Sequence, residues 1–147
     1  MRLFELDVLE ARRVADLAAD ARRRRDELME KVSEESLGEP PPVRGERNPS
    51  AGLDVETVLR DQREYIALRD AIGEVPRDIR EKLRVVAQVG RDEITAAAAD
   101  EALAAVSGES DAAILTVMMD NPDLHDHLRR GLYLLHAASV PGDKMTP

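Results

Sequence analysis

Apolar residues recur at helical spacing along most of this chain, most clearly between Val75 and Gly90. At about 100° per residue, this stretch places apolar side chains on two faces of a helix. One face carries Ile79, Leu83, Val86 and Ala87, and the other carries Val85 and Val89. A helix that is apolar on two sides must be covered from two directions. We therefore expect it to be the central helix of the fold.

The first 34 residues predict one long helix, from near Asp7 to about Val32. Its apolar stripe lies within a narrow arc and consists of Leu6, Val14, Leu17, Ala21, Leu28 and Val32. A narrow stripe of this length suits packing along another long helix, either within the chain or in a second copy. We expect contact with a protein partner, or self-association, through Val14, Leu17, Leu28 and Val32.

Capping residues delimit the other helices. Asp54 and Gly73 predict the ends of a helix that neighbours the central one, to which a tight connection joins it. Asp92 is placed to cap an alanine-rich helix over about 93–106, and Ser110 or Asp111 to cap a short helix that reaches Met119. Asn121 predicts the cap of the last helix, with Pro122 at its first position. The pattern as a whole predicts an all-α bundle of five to six helices.

Gly131 lies inside the apolar stripe of that last helix. The stripe consists of Leu124, Leu128, Gly131, Leu132 and Leu135. A glycine in a helix interior costs about 1 kcal/mol relative to alanine. Close approach by another backbone explains it most simply, and we expect that backbone to be the central helix.

The prolines divide the chain into regions. Residues 35–52 contain Pro40–Pro42 and Pro49 and predict a loop or linker, because proline cannot continue a helix. The linker would join the long helix of residues 1–34 to a compact helical bundle over 53–138. Residues 139–147 read as a flexible tail.

Composition narrows the classes of function. The chain has 147 residues, no cysteine and a net charge of −9. The lack of cysteine excludes disulfides and thiolate chemistry, and the acidic balance disfavours nucleic-acid binding. We see neither a signal-peptide pattern nor an apolar run long enough to span a bilayer, and expect a cytoplasmic location.

The basic run Arg22–Arg25 resembles a nucleic-acid patch in composition but not in geometry. Four consecutive helical residues point in four directions. Acidic residues at helical spacing are also available to neutralise the run, and we expect the pairs Arg22–Asp26, Arg23–Glu27 and Arg24–Asp20. The run therefore predicts a solvated helix surface, although Arg24 and Arg25 flank the apolar stripe and are open to an acidic partner.

Two places carry candidate chemistry. Asp123 and His127 are spaced to supply two metal ligands from one helix, but a third ligand would have to come from elsewhere, and helix capping accounts for the same residues. The corner Gly90-Arg91-Asp92 offers an exposed guanidinium for a carboxylate or phosphate near a helix N-terminus. The alternative is that Gly90 and Asp92 cap the adjoining helices and Arg91 bonds terminal carbonyls.

Three segments, Val85–Asp92, Leu115–Leu124 and His127–Leu132, resemble a small bacterial family of domains of unknown function. The family usually shows an aromatic residue, an apolar residue and Gly-Arg-Gly after its central helix; here Gln88 replaces the aromatic and Asp92 the second glycine. His127 likewise stands in place of a tyrosine. The resemblance covers about residues 54–135. It implies the domain limits and the importance of Gly90, Arg91 and Gly131, but no activity.

These observations favour a non-catalytic helical module for protein interaction or regulation, without a cofactor. The alternative is a binder of a small anionic ligand centred on Arg91. Enzymatic activity has less support, because the serines lie in loops or caps without a nucleophile-elbow motif.

Overall fold

The structure is a computed structural model that describes the backbone of residues 1–38 and 62–139, and the side chains of 1–31 and 62–138. These ranges contain helices and no strand, so the predicted all-α class is confirmed. The α-helices are α1 (Glu5–Gly38), α2 (Arg63–Glu74), α3 (Arg77–Gly90), α4 (Ala99–Val106), α5 (Asp111–Met119) and α6 (Leu124–Ser139). A short 3₁₀ turn, Ala96–Ala98, leads directly into α4.

Helix α3 is central, as its two apolar faces predict. Both faces are buried, with Ile79, Leu83, Val85, Val86, Ala87 and Val89 in the core. Helix α6 covers one side of α3, while α4, α5 and α1 contact it elsewhere. The expected packing of α2 along α3 is wrong, because α2 packs mainly on α1. The backbone is extended at both Val75 and Pro76, so the chain changes direction between α2 and α3.

The buried face of helix α1 overlaps the predicted stripe at Val14, with Leu17 and Ala21 packed against the core, but it is rotated towards the alanines. Its fully buried positions are Ala11, Val14, Ala15 and Ala18, whereas Leu6 is exposed. Leu17 and Leu28 are partly buried, and the side chain of Val32 lies outside the described residues. The alanines allow α6 to lie close to α1. Since Val14 is part of this core, the prediction that it contacts a partner is wrong.

Several helix limits also differ from the predictions. Helix α1 continues to Gly38, so the expected linker of residues 35–52 begins inside it. Helix α2 begins at Arg63 because Gln62 is extended; the expected start at Asp54 lies outside the described residues. Ser139 belongs to α6, and the remainder of the expected linker and tail also lies outside the described residues.

The closest contact between α3 and α6 is made possible by one glycine on each helix. A Cβ atom on Gly131 would lie 2.0 Å from the carbonyl oxygen of Val86. A Cβ atom on Gly90 would lie 1.7 Å from the carbonyl oxygen of His127. Both distances are far below van der Waals contact, so the two backbones touch directly at these points.

The buried side chain of Arg80 caps the carboxyl end of α2. Its guanidinium donates hydrogen bonds to the carbonyl oxygens of Ile72 (3.0 Å), Gly73 (2.7 Å) and Val75 (2.9 Å). It also lies 2.8 Å from a carboxylate oxygen of Asp111 at the start of α5. Helix-end carbonyls need such partners when they are removed from water. Arg80 thereby joins α2, α3 and α5.

The caps of the later helices confirm the prediction for Ser110 and overturn the one for Asp92. Ser110 is the cap of α5, and its hydroxyl accepts a hydrogen bond from the Ala113 N–H at 3.1 Å. Thr95 rather than Asp92 caps the turn before α4, because Asp92 adopts a positive φ of 61°. Pro122 precedes α6, which begins at Leu124. The side-chain oxygen of Asn121 accepts a hydrogen bond from the Asp123 N–H at 3.0 Å, as the predicted cap requires, but it does so in the turn before α6.

Candidate functional site

The corner Gly90-Arg91-Asp92 is held together by a residue of α6. Arg130 donates a hydrogen bond to the Gly90 carbonyl at 3.1 Å and pairs with the carboxylate of Asp92. The hydrogen bond that Arg130 donates to Asp92 raises the pKa of Arg130. Arg91 is exposed and lies 3.8 Å from Glu93. Arg91 lines neither of the two concave sites described below. Because Arg130 of α6 holds the corner, the corner forms part of the packing between α3 and α6.

The candidate metal ligands have structural partners. The Nδ1 atom of His127 lies 2.8 Å from the side-chain nitrogen of Asn121. A carboxylate oxygen of Asp123 lies 2.7 Å from Arg22 of α1. Within the described residues, no three acidic or histidine side chains are grouped as metal ligands. Asp123 therefore joins the turn before α6 to α1, and His127 joins the same turn to α6.

The basic run on α1 forms ion pairs with acids of the same helix, although two of the predicted pairs are wrong. Arg22 pairs with Asp26 at 3.0 Å as predicted. Arg23 pairs with Asp20 and Arg24 with Glu27, both at a spacing of three residues. The hydrogen bond with Asp26 is the main cause of a raised pKa at Arg22. The field of this run is therefore largely neutralised.

The first concave site is a cleft of about 320 Å³ between α1, α2 and the turn before α6. Its lining includes Arg22, Arg24 and Arg25, but also the acids Glu64 and Asp120. Asp26, Asp123 and Glu27 pair with two of these arginines. Three positive groups thus face five acids, and an anion gains little by entering this cleft.

The second site is a shallow groove of about 960 Å³ between the start of α1 and the end of α6, here called the basic groove. Leu3, Val8, Leu132 and Leu135 supply its apolar surface, and Tyr133 is 71% exposed beside them. Its four basic groups besides His136 are the Met1 amino group and the side chains of Arg2, Arg12 and Arg129, and the acid Asp100 lies among them. The sequence pattern alone did not predict this groove, because it depends on how α1 and α6 are placed together.

Next to this groove, the N-terminal segment exposes three large apolar side chains, here called the N-terminal face. Phe4, Leu6 and Leu9 are 55%, 57% and 55% exposed. Leu6 and Leu9 are three residues apart and therefore neighbours on α1. The predicted packed stripe of α1 includes Leu6 but not Leu9. They are exposed because α1 buries the side that carries Ala11, Ala15 and Ala18.

A buried ion pair anchors the segment that carries the N-terminal face. Asp7 is only 5% exposed, and one of its carboxylate oxygens accepts a hydrogen bond from the Phe4 N–H at 2.8 Å. The same oxygen lies 2.8 Å from the Lys82 ammonium of α3. That ammonium also lies 4.9 Å from the centre of the Phe4 ring, within the range of a cation–π contact. The start of α1 is thus fixed to the central helix.

Comparisons with family models, curated proteins and solved structures found no match to this chain. The suggested resemblance to a bacterial family therefore stays a prediction. In the part of the chain that the structure describes, no helix is both long enough and apolar enough to cross a membrane.

Proposed function

We propose that this protein is a non-catalytic helical module that binds another protein through its N-terminal face. The exposure of Phe4, Leu6 and Leu9 is the observation that carries the proposal. Single exposed apolar residues are ordinary on protein surfaces, but Leu6 and Leu9 are neighbours on one helix, and adjacent exposed apolar side chains are typical of interaction sites.

Burial of this face would supply part of the energy that specific binding needs. Complete burial of a leucine or phenylalanine side chain is worth roughly 1.5–3 kcal/mol. Each of the three is about half exposed, so a partner that covers all three gains roughly 2–4 kcal/mol from their burial. Surrounding contacts would add to this. The anchor formed by Asp7 and Lys82 lowers the cost of ordering the segment on binding.

The alternative of an anionic ligand at Arg91 gains no support from the geometry. Arg91 lies beside Glu93 and outside both concave sites. Helix α4, whose N-terminus was expected to reinforce an anion, begins only at Ala99. Protein binding through the N-terminal face is therefore the better-supported function.

The test is affinity enrichment from a bacterial extract with the full chain as bait, followed by quantitative mass spectrometry and sedimentation velocity of the purified chain. Leu6→Glu combined with Leu9→Glu should abolish recovery of the partner, or self-association if the partner is a second copy. Met29→Glu is the matched control, because Met29 is also exposed on α1 but lies away from this face. Circular dichroism establishes that both variants remain helical.

Two outcomes would contradict the proposal. In one, the wild-type chain recovers no partner and sediments as a monomer at all concentrations. In the other, the Leu6/Leu9 variant and the Met29 variant lose binding equally.

A further inference from the structure

We propose that the basic groove receives an acidic, partly apolar peptide segment of the protein partner. This inference rests on the proposed function and names the chemistry of the partner. It depends on the register between α1 and α6, on the balance of charge in the groove, and on the side chains that line it.

An interhelical ion pair fixes the geometry of the groove. Helices α1 and α6 run antiparallel, since Arg22 pairs with Asp123 and, further along α6, Arg129 pairs with Asp16 at 3.1 Å. Arg12 lies one turn before Asp16 on α1. Tyr133 lies one turn after Arg129 on α6. Both residues line the groove, so a guanidinium and an aromatic ring project from opposite walls.

The charge of the groove is positive although the protein is acidic. Two of its four basic groups are neutralised, because the Met1 amino group pairs with Asp100 and Arg129 pairs with Asp16. Arg12 is exposed and, among the described residues, has no ion-pair partner. The guanidinium carbon of Arg2 lies 5.1 Å from the centre of the Phe4 ring. Two uncompensated guanidiniums thus remain in a chain whose net charge is −9.

Complementary charge at an interface steers association and selects the partner. Guanidinium groups also bind carboxylates with two parallel hydrogen bonds. Aspartate or glutamate side chains of a peptide are therefore the natural partners of Arg2 and Arg12. Leu3, Val8 and Leu132 offer apolar surface between them, and exposed tyrosine and arginine are enriched where binding energy is concentrated.

A peptide fits these observations better than a nucleic acid or an anionic membrane. Those polyanions carry charge over distances longer than the groove, so they would also meet the acidic remainder of the surface. Their affinity depends on many simultaneous phosphate contacts. A short peptide needs only the groove, and its apolar side chains use the part of the surface that phosphates do not.

Selection of a displayed library of random peptides on the full chain tests the proposal. Enriched peptides should combine acidic residues with at least one large apolar residue. A synthetic, fluorescently labelled copy then gives dissociation constants by anisotropy. Arg12→Glu should weaken binding by about tenfold or more, as expected for the loss of a charge-assisted contact. The control Arg25→Glu makes the same charge change on the same helix, but in the other cleft, and should change binding by less than about twofold.

Several results would overturn the inference. Enriched peptides could be neutral or basic, or the two arginine variants could bind the acidic peptide equally well. A stronger affinity for a DNA oligonucleotide or a phosphatidylserine vesicle than for the peptide would identify another class of ligand. Tighter peptide binding after deletion of residues 140–147 would show that the chain's own terminus is the occupant.

The failure of this inference can be distinguished from failure of the proposed function. If peptide binding is lost in the Leu6/Leu9 variant but unchanged in Arg12→Glu, the N-terminal face is the binding site and the basic groove is not. If neither a peptide nor a protein binds the wild-type chain, the proposed function fails together with the inference.

Discussion

Replacing Gly131 with alanine would place a methyl group where the backbone of α3 already lies. The added Cβ atom would be 2.0 Å from the Val86 carbonyl oxygen and 2.9 Å from both the carbonyl carbon and the Cγ1 atom of Val86. The first two of these neighbours are backbone atoms of a buried central helix, so they cannot rotate away. The methyl group can be accommodated only if α3 and α6 separate locally.

The expected cost follows from this separation. Restoring ordinary contact, about 3.4 Å, requires a displacement of roughly 1.4 Å, and a gap of that size forfeits about half or more of each affected dispersion contact. Overpacking of cores typically costs about 1–3 kcal/mol. Alanine returns up to about 1 kcal/mol through its higher helix propensity. Because rigid backbone is the obstacle, we expect a cost at the top of that range and a net loss of about 2 kcal/mol, a large part of a typical stability of about 5–15 kcal/mol.

Urea unfolding followed by far-UV circular dichroism measures this loss as a lower midpoint at unchanged slope. Gly73→Ala is the matched control. A Cβ atom at Gly73 would meet no heavy atom within 4 Å, so alanine there should stabilise α2 by about 0.5 kcal/mol. The same substitution should thus have opposite signs at the two sites. A loss below about 1 kcal/mol at Gly131 would refute the described contact between α3 and α6.

Two further predictions concern the charged network around α5. Arg80→Met leaves the carbonyl oxygens at the end of α2 without their donor and should lower the free energy of unfolding in urea by about 3 kcal/mol. Arg91→Met should change that free energy by no more than about 0.5 kcal/mol. Equal losses in the two variants would contradict the role of Arg80. The hydrogen bond from Arg77 is the largest cause that lowers the pKa of Asp111. The stability that Asp111 contributes is therefore present above its unfolded pKa of about 3.9 and lost as pH falls through the lower folded value. Wild type should lose more stability than Asp111→Asn below about pH 4; parallel pH profiles of the unfolding midpoint would contradict this.

The central helix could be predicted from the sequence because its pattern is self-contained. Val85 and Val89 lie off the stripe of Ile79 and Leu83, and no arrangement that exposes one of these faces is stable. All four are buried. Gly131 was recognisable for a related reason, since a glycine inside an apolar stripe has few explanations other than close backbone contact.

The buried face of α1 could be predicted only in part, because the size of a side chain decided its burial more than its hydrophobicity did. Leu6 is more apolar than Ala11 or Ala15, yet the two alanines are buried and the leucine is exposed. A neighbouring helix can approach closely only over small side chains, so burial followed the alanines. The identity of that neighbour, α6, is not contained in the local sequence of α1.

The arginines that organise the fold were missed because their partners are distant in sequence. Arg80 and Asp111 are 31 residues apart, and Arg130 and Gly90 are 40 apart. A periodicity reading assigns such charged residues to solvent, since arginines are seldom buried unless paired. The positive φ of Asp92 is likewise tied to its ion pair with Arg130, which helical spacing does not predict. The basic groove depends on contacts of the same long range.

The position of the N-terminal face relative to the core favours its use as a binding surface. Asp7 and Lys82 form their ion pair between α1 and the most deeply buried helix, and the Phe4 backbone is hydrogen-bonded to the same carboxylate. Detaching this end of α1 would break both contacts of the Asp7 carboxylate, so the segment is held against α3. A buried ion pair holds this segment in place, and its leucines remain exposed to water. The segment therefore presents a rigid apolar surface. A partner that covers such a surface loses little binding energy to ordering it.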